Sequence, residues 1–368
     1  MRVLHINSTI YINSGVMSVL MNYYRNIDRE KVQFDFLYFI KPGADYKTYQ
    51  EEIEELGGRV FFIPDFKNFV VFNKQLEGLL EEHPEYDTVH IHDPFVVQFI
   101  YRTLRKHGVN NIIVHSHATQ WSDKKVSGIR NRLVCINLKK HIDYSFACSR
   151  AAGEFLYGKN SDFMVVNNAI DVERYHFDAV ERKKLRKELG IERNIVFGHV
   201  GNFNNQKNHT FLIDIFSEII HMCPDATLLL IGDGMLKGKI FKKVEKLGLT
   251  NKVYFLGKKS DVEHYYSAMD CMILPSLYEG LPMVGVESQC SGLPTLMSDT
   301  ITREVGLVTY DFMSLSDSPF EWAKQAIKLA ATEDFERSDA ARIIEEKGFS
   351  IQIEAAKLAA AYKGMSVK

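Results

Sequence analysis

The feature that most constrains the fold is a repeated alternation of short apolar runs with longer helical patterns. The short runs are continuously apolar, which is typical of strands buried on both faces of a parallel sheet. In the first half of the chain we predict strands at Val3–Asn7, Phe34–Phe39, Val60–Pro64, Thr88–His92, Ile112–His115, Tyr144–Cys148 and Met164–Asn167. Helical patterns between them cover Val16–Asn26, Tyr46–Leu56, Phe69–Glu82 and Phe95–His107.

A second series of the same kind follows. Its strands are predicted at Ile195–Val200, Thr227–Ile231, Val253–Leu256, Met272–Pro275, Thr295–Ser298 and Leu307–Thr309, and its helices at His209–Met222, Leu236–Leu247, Asp261–Met269 and Val284–Cys290. The length of 368 residues is enough for two domains. We therefore predict an α/β protein with two doubly wound, Rossmann-like domains and a ligand-binding cleft between them.

The boundary between the two series is a charged stretch, Asp171–Ile191, that precedes a new strand. We predict an N-terminal domain of residues 1–170 and a C-terminal domain of residues 171–350. Residues 351–368 contain a further helical pattern, which we expect to pack back toward the N-terminal domain.

Charge and hydropathy exclude several classes of protein. A net charge of −2 gives no overall field that would attract nucleic acid. No stretch approaches the roughly 18 apolar residues that span a bilayer, and the strand-like run Arg2–Asn7 is unlike a secretory signal. The five cysteines lack metal-knuckle or redox-pair spacing. We expect a cytoplasmic protein with reduced thiols.

Ligands of open α/β sheets bind at the carboxyl ends of the strands. The residues that follow strands are therefore the candidates for ligand binding and catalysis. The strongest motif is residues 276–294, where Glu279 lies in a predicted loop and Glu287 in the next predicted helix. Both carboxylates can accept hydrogen bonds from sugar or ribose hydroxyls. The structural alternative is a pair of acids that stabilise a helix start. The residues between them that are predicted to contact the same ligand are Gly280, Leu281 and Pro282.

A second motif, residues 198–209, also follows an apolar strand and opens a helix. Its glycines let the backbone approach a phosphate, and Lys207 supplies a positive charge. The alternative is an ordinary strand–helix turn with a solvated lysine. Asp233 and Lys258 follow two further predicted strands and are expected at the same edge; the Asp-Gly pair at 233 is also a good turn former.

The N-terminal half contributes two weaker signals. His115 and His117 follow a strand, where each fits a metal ligand, a proton carrier or a structural polar group. No carboxylate stands at a spacing that would complete a metal site, which argues against a metal there. Gly15 lies in the segment that links the first strand to the first predicted helix, Val16–Asn26, and can approach a phosphate or an acceptor.

Residues 124–140 are basic, with Lys124, Lys125, Arg130, Arg132, Lys139 and Lys140 and no acid among them. Ile129, Leu133 and Ile136 fall on one helical face. Such a helix can lie on an anionic membrane surface. The alternative is a solvated cationic face whose apolar stripe packs against the sheet.

The 276–294 motif resembles the E-x7-E signature of the family 4 glycosyltransferases, which are retaining enzymes of the GT-B fold. The resemblance extends over the whole chain and is sharper in the C-terminal half. It implies that Glu279 contacts hydroxyls of the donor sugar and that Glu287 contacts the ribose of the nucleotide.

The other motifs are similar to the same family. Lys207 matches the lysine of the loop that binds the donor diphosphate, but Asn202 occupies the position of the family's arginine. His117 aligns best with a histidine near the donor sugar and acceptor, and His115 is the second choice. Gly15 corresponds to a glycine loop near the diphosphate, and the turns at Asp233 and Lys258 border the nucleoside.

The resemblance implies a hexosyltransferase that moves a sugar from a nucleotide diphosphate sugar, expected to be UDP-linked, to a glycan or lipid-linked acceptor. It implies no metal or other cofactor, and a location at the inner face of the membrane is expected if residues 124–140 bind lipid. Two alternatives stay open: a sugar-nucleotide 2-epimerase of the same fold, and an inactive nucleotide-binding subunit, which Asn202 would mark.

Overall fold

The computed structural model describes residues 1–12, 14–43, 47–64, 66–122, 125–332 and 336–365, with only the backbone of Lys125. The chain divides into two compact units. Unit 1 contains residues 1–169 and 351–368, and unit 2 contains residues 170–350. Each unit has its own hydrophobic core.

The described residues of unit 1 form a seven-stranded parallel sheet in the order β3-β2-β1-β4-β5-β6-β7. Its strands are β1 Arg2–Asn7, β2 Gln33–Tyr38, β3 Val60–Phe62, β4 Thr88–Ile91, β5 Asn111–Ser116, β6 Tyr144–Ala147 and β7 Met164–Val165. Its helices are α1 Gly15–Asn26, α2 Gln50–Glu55, α3 Phe69–Glu82, α4 Val97–Lys106, α5 Lys125–Val134, α6 Arg150–Tyr157 and, at the end of the chain, α15 Ile351–Met365. The strand order reverses between β1 and β4, which is where doubly wound sheets bind ligands.

Helix α15 belongs to unit 1 although unit 2 separates it from the rest of that unit in sequence. It packs on α1. Its Tyr362 is fully buried, and the hydroxyl lies 2.6 Å from Nδ1 of His90 in β4. The last helix therefore completes the core of the first unit.

The described residues of unit 2 form a six-stranded parallel sheet in the order β10-β9-β8-β11-β12-β13. Its strands are β8 Ile195–Val200, β9 Ala226–Ile231, β10 Val253–Gly257, β11 Cys271–Leu274, β12 Thr295–Ser298 and β13 Tyr310–Met313. Its helices are α7 Val172–Tyr175, α8 Ala179–Leu189, α9 His209–Met222, α10 Lys237–Lys246, α11 Val262–Ala268, α12 Met283–Cys290, α13 Pro319–Ala330 and α14 Ala340–Glu346. The order reverses between β8 and β11.

The predicted class, two doubly wound α/β units, is confirmed, and two local predictions are wrong. The last strand is Tyr310–Met313 rather than Leu307–Thr309, because the Gln289 side chain accepts the N–H groups of Leu307 and Val308 at 2.8 and 2.9 Å. Helix α2 begins at Gln50, because Thr48, inside the predicted helix, is held in a β-bridge. The predicted start, Tyr46, lies outside the described residues. Both differences come from contacts between segments distant in sequence.

Candidate functional site

The loops after β8 and β11 lie side by side, because these two strands are neighbours in the sheet of unit 2. The first loop runs from Gly201 to Asn208, and the second from Pro275 to Pro282, where α12 begins. Their backbones are joined by a hydrogen bond of 2.8 Å from the Leu277 N–H to the carbonyl of Gln206. The topology therefore brings the two strongest sequence motifs together at one edge.

Lys207 and Glu279 form an ion pair across these two loops, with 2.6 Å between Nζ and Oε1. The second carboxylate oxygen, Oε2, accepts a hydrogen bond of 3.0 Å from the side chain of Gln206. Glu279 is only 9% exposed, so the pair is largely shielded from water. Gly201 leaves room for the lysine stem, since an added Cβ would lie 3.2 Å from Lys207 Cε. The lysine is thus engaged by a carboxylate, not solvated as the alternative interpretation supposed.

A carboxylate oxygen can accept more than one hydrogen bond, so Glu279 retains capacity for hydroxyl donors. The ammonium of Lys207 has three donors and retains capacity for an anion. The arrangement can therefore hold a polyhydroxylated anion such as a sugar phosphate. Gln206 was missed by sequence reasoning, although it directly precedes the lysine.

Glu287 lies in the fifth position of α12 and is 8% exposed. Its Oε2 accepts a hydrogen bond of 2.8 Å from the hydroxyl of Tyr266 in α11. Burial raises the pKa of Glu287 above its ordinary value, while the tyrosine hydrogen bonds and Arg174 oppose this shift. The first turn of α12 contains no acidic residue, so the interpretation of both glutamates as helix-start acids is wrong.

The residues between the two glutamates shape the loop. Pro282 is the N-cap of α12, Leu281 is 4% exposed, and Gly280 is half-buried. Glu279 itself forms a parallel β-bridge with Ile301, which anchors the loop to the segment after β12. The glutamate is thereby held by backbone as well as by side-chain contacts.

Three neighbouring strand ends are linked by backbone hydrogen bonds: Gly201 N–H donates to Ile231, and Gly232 N–H to Gly257. Gly232 has φ +138°, and a Cβ there would lie 2.1 Å from the Gly201 carbonyl oxygen, so no other residue fits. Asn202, Asp233 and Lys258 follow the adjacent strands β8, β9 and β10, as predicted from their positions.

These three side chains differ in their surroundings. Asp233 Oδ1 accepts a hydrogen bond of 2.9 Å from the Gly234 N–H and lies 3.6 Å from Lys237, which is ordinary Asp-Gly turn chemistry. Lys258 is exposed, and Asn202 is half-buried. Their predicted contacts with a donor stay predictions.

Gly15 and His117 lie in unit 1, after β1 and β5. Gly15 is the first residue of α1, whose N-cap Ser14 accepts a hydrogen bond from the Met17 N–H. A Cβ at Gly15 would meet no atom of the described residues within 4 Å, so packing against them does not require this glycine. His117 is half-buried, and its Nε2 lies 2.8 Å from Nδ1 of His92.

His117 belongs to a larger group of histidines that sequence reasoning missed. His92 Nε2 lies 3.0 Å from Nδ1 of His5, and the rings of His115 and His117 stack with centroids 4.1 Å apart. His90 lies beside His5 in the register of β4 and β1. A second His-x-His pair, at 90 and 92 on the strand next to that of His115, was the available signal, because side chains two residues apart share one face of a strand.

Helix α5 exposes its apolar stripe. Val126 is 82% exposed, Ile129 64%, Leu133 62% and Ile136, just after the helix, 69%. The interpretation of this stripe as packed against the sheet is therefore wrong. The exposed cations along the same segment are Arg130, Arg132, Lys139 and Lys140. Lys124 and the side chain of Lys125 lie outside the described residues.

Comparisons with known proteins bear on the family and the fold of the chain. Residues 181–309 match the family model of glycosyl transferases group 1. The chain is 33% identical to EpsF of Bacillus subtilis, named as a glycosyltransferase, across 95% of this chain and 93% of that one. The chain belongs to the glycosyltransferases.

A second relative of this glycosyltransferase is the Escherichia coli UDP-Gal:α-D-GlcNAc-diphosphoundecaprenol α-1,3-galactosyltransferase, at 26% identity over 78% of this chain and 76% of that one. The Anabaena protein HepE, solved in complex with UDP, superimposes with a TM-score of 0.82 at 19% identity, covering 99% of this chain and 100% of that one. This likeness shows the GT-B fold. Among the described helices of the glycosyltransferase, none has the length and apolar character needed to cross a membrane.

Proposed function

We propose that this glycosyltransferase is a retaining, family 4 hexosyltransferase that takes its sugar from a UDP-linked donor without a metal ion. The acceptor is a glycan or a lipid-linked sugar. The observation that carries the proposal is the ion pair between Lys207 and Glu279, which places a cation and a hydroxyl acceptor at the ligand-binding edge of unit 2. A UDP-sugar presents the matching pair of groups, a diphosphate and a hydroxylated ring.

The role of each residue in this proposal combines the ion pair with the family resemblance. Lys207 meets the negative charge that develops on the leaving diphosphate, so a protein cation does the work that a metal ion performs elsewhere. Glu279 accepts hydrogen bonds from the sugar hydroxyls and orients the ring. Glu287 and the turns at Asp233 and Lys258 hold the nucleoside. His117 lies near the sugar and acceptor.

Retention requires the acceptor to bond on the same face of the sugar from which the diphosphate leaves. The transition state then resembles an oxocarbenium ion, and an oxygen of the departing phosphate takes the proton of the acceptor hydroxyl. This course needs no enzyme nucleophile. It needs a well-held leaving group, and Lys207 with its carboxylate partner supports that role.

The acceptor class is supported by two observations. The E. coli relative is named for transfer to a sugar on diphosphoundecaprenol, a membrane lipid. Helix α5 presents exposed apolar side chains beside exposed cations, and such a face binds anionic lipid surfaces. We infer that the enzyme works at the inner face of the membrane, where lipid-linked acceptors are presented.

The experiment is transfer from a panel of UDP-sugars to lipid-linked and free glycan acceptors, with the anomeric configuration of the product read by NMR. An α-linked donor is expected to give an α-linked product. A β-linked product would contradict the retaining mechanism.

The donor alone provides the comparison. Conversion of the donor to an epimer without acceptor would identify the epimerase alternative. Binding of UDP-sugar without any transfer or hydrolysis would identify the inactive subunit.

A further inference from the structure

Five histidines of unit 1 lie close together, within the strands or directly after them: His5, His90, His92, His115 and His117. Four of them are at most 4% exposed. Several of their ring nitrogens, including both nitrogens of His115, have no hydrogen-bond partner within the part of the chain that the structure describes. A buried polar atom without a partner costs on the order of 1–3 kcal/mol, so such a group calls for an explanation.

Two overlapping sets of three present ligand atoms that all lie within 4.8 Å of one another: His5, His90 and His92, and His92, His115 and His117. The first set is closed: all its members are buried, and Nδ1 of His90 is engaged by Tyr362. The second set includes His117, which is half-buried and gives access from solvent. An ion and a water ligand can enter only the second set without opening the core.

We propose that His92, His115 and His117 form a binding site for a divalent first-row transition metal ion such as Zn²⁺, with water as the fourth ligand. Imidazole nitrogens are preferred ligands of such ions, and three histidines with one open position form a familiar zinc arrangement. All three residues belong to unit 1, whereas Lys207 and Glu279 belong to unit 2.

The donor atoms already face one another. Nδ1 of His92 lies 2.8 Å from Nε2 of His117, a hydrogen bond in which one of the two nitrogens donates its proton to the other. Zinc–nitrogen bonds of about 2.0–2.1 Å in a tetrahedral site place the nitrogens roughly 3.4 Å apart, so small ring movements suffice. The ion takes the place of that proton, which moves to the other ring nitrogen of the same histidine, so that each imidazole binds the ion in its neutral form.

The surroundings suit the same chemistry. The other ring nitrogen of His92, Nε2, is hydrogen-bonded to Nδ1 of His5 at 3.0 Å. In metal sites a hydrogen bond of this kind fixes the orientation of the metal-bound histidine ring.

The test uses the purified full chain, stripped with a chelator and desalted, and titrated with Co²⁺ in the absence of any nucleotide sugar. We expect one equivalent of Co²⁺ to give visible d–d absorption, and Zn²⁺ to displace it. X-ray absorption of the zinc form is expected to show three imidazole ligands. No such bands, or a metal with water ligands alone, would overturn the site.

Variants assign the ligands. We expect Co²⁺ affinity to fall in each of three variants, His92→Gln, His115→Gln and His117→Gln. The loss should exceed the roughly 10–100-fold that is typical when a metal ligand loses its hydrogen-bond partner. The control is His221→Gln, an exposed histidine of α9 in unit 2, with unchanged binding. If a folded His117→Gln variant kept full Co²⁺ affinity while His90→Gln lost it, the metal would bind at His5, His90 and His92 instead. That result would overturn the proposal.

One consequence rests on the proposed function. Because the ion uses His117, Zn²⁺ is expected to slow sugar transfer, and a chelator to restore it. Since Co²⁺ binding is measured without donor or acceptor, failure of the metal site and failure of the proposed transfer reaction give different results.

Discussion

At the residue scale, the two glutamates of the E-x7-E motif have different partners. Glu279 is paired with Lys207 and Gln206, whereas Glu287 is bound by Tyr266. Since we place Glu279 at the donor sugar, Glu279→Gln is expected to lower kcat while changing UDP affinity little. Loss of a charge-assisted hydrogen bond, about 1.5–3 kcal/mol, corresponds to roughly ten- to a hundredfold.

Glu287→Gln is expected to weaken UDP binding by a similar factor, because we place this carboxylate at the ribose. Kinetics and calorimetry with UDP separate the two effects. Glu321→Gln, at an exposed glutamate of α13, is the matched control. If kcat and UDP affinity were unchanged in both Glu279→Gln and Glu287→Gln, the motif would not contact the donor.

The asparagine at position 202 gives a second prediction. An amide brings no charge, so the diphosphate loses the bidentate guanidinium that the family's arginine provides. Asn202→Arg is expected to tighten UDP binding roughly ten- to a hundredfold and to leave uridine binding unchanged. Lys207→Ala is expected to remove most of the affinity for UDP.

Calorimetry with UDP and uridine checks these variants, with Asn205→Arg, two residues before the lysine, as a control for added charge. If neither Asn202→Arg nor Lys207→Ala changes the affinity for UDP, this loop does not contact the diphosphate.

At the element scale, α5 combines an exposed apolar stripe with exposed cations. Each basic residue near an anionic bilayer contributes about 1 kcal/mol. The pair Arg130→Ala and Arg132→Ala is therefore expected to reduce binding to vesicles with anionic lipid about thirtyfold at low salt. Ile129→Ser and Leu133→Ser are expected to reduce binding to the same vesicles with less dependence on salt.

Vesicle sedimentation measures both effects. The control pair, Lys183→Ala and Lys187→Ala, removes two exposed cations from α8 in unit 2, and vesicle binding should not change. If the unmodified protein does not sediment with anionic vesicles, the face has another use.

At the scale of the whole molecule, α15 ties the end of the chain to unit 1. Its Tyr362 fills a fully buried position beside His90. Tyr362→Ala is expected to cost unit 1 about 3–5 kcal/mol through the cavity it leaves. Tyr362→Phe keeps the ring and should cost less, about 1–3 kcal/mol for the polar partner left without a hydrogen bond.

Hydrogen exchange read by mass spectrometry distinguishes the two units in one experiment. Exchange is expected to accelerate in residues 1–169 and 351–365 and to stay unchanged in residues 170–350. Equal acceleration in both would show that the two units unfold together.

The metal requirement is also a property of the whole enzyme. Sugar transfer is expected to survive EDTA, because Lys207 carries the charge that would otherwise need a divalent cation. Complete loss on chelation, restored by Mg²⁺ or Mn²⁺, would contradict metal-independent transfer. The assay compares initial rates before and after chelation.

The strand and helix series, and hence the two doubly wound units, could be predicted from the sequence, because the apolar pattern is a local property with a fixed period. The motif around Glu279 and Glu287 was visible for the same reason. So were the turns that contain Lys207 and Asp233, since each follows an apolar strand.

Other features depended on which segments meet in space. The pairing of Lys207 with Glu279 joins positions 72 residues apart and follows from the adjacency of β8 and β11. The histidine cluster joins three strands, and the exposure of α5 depends on what else covers the sheet. Local pattern encodes the period and face of an element, but the neighbour that a face contacts is set by topology and burial across the whole unit.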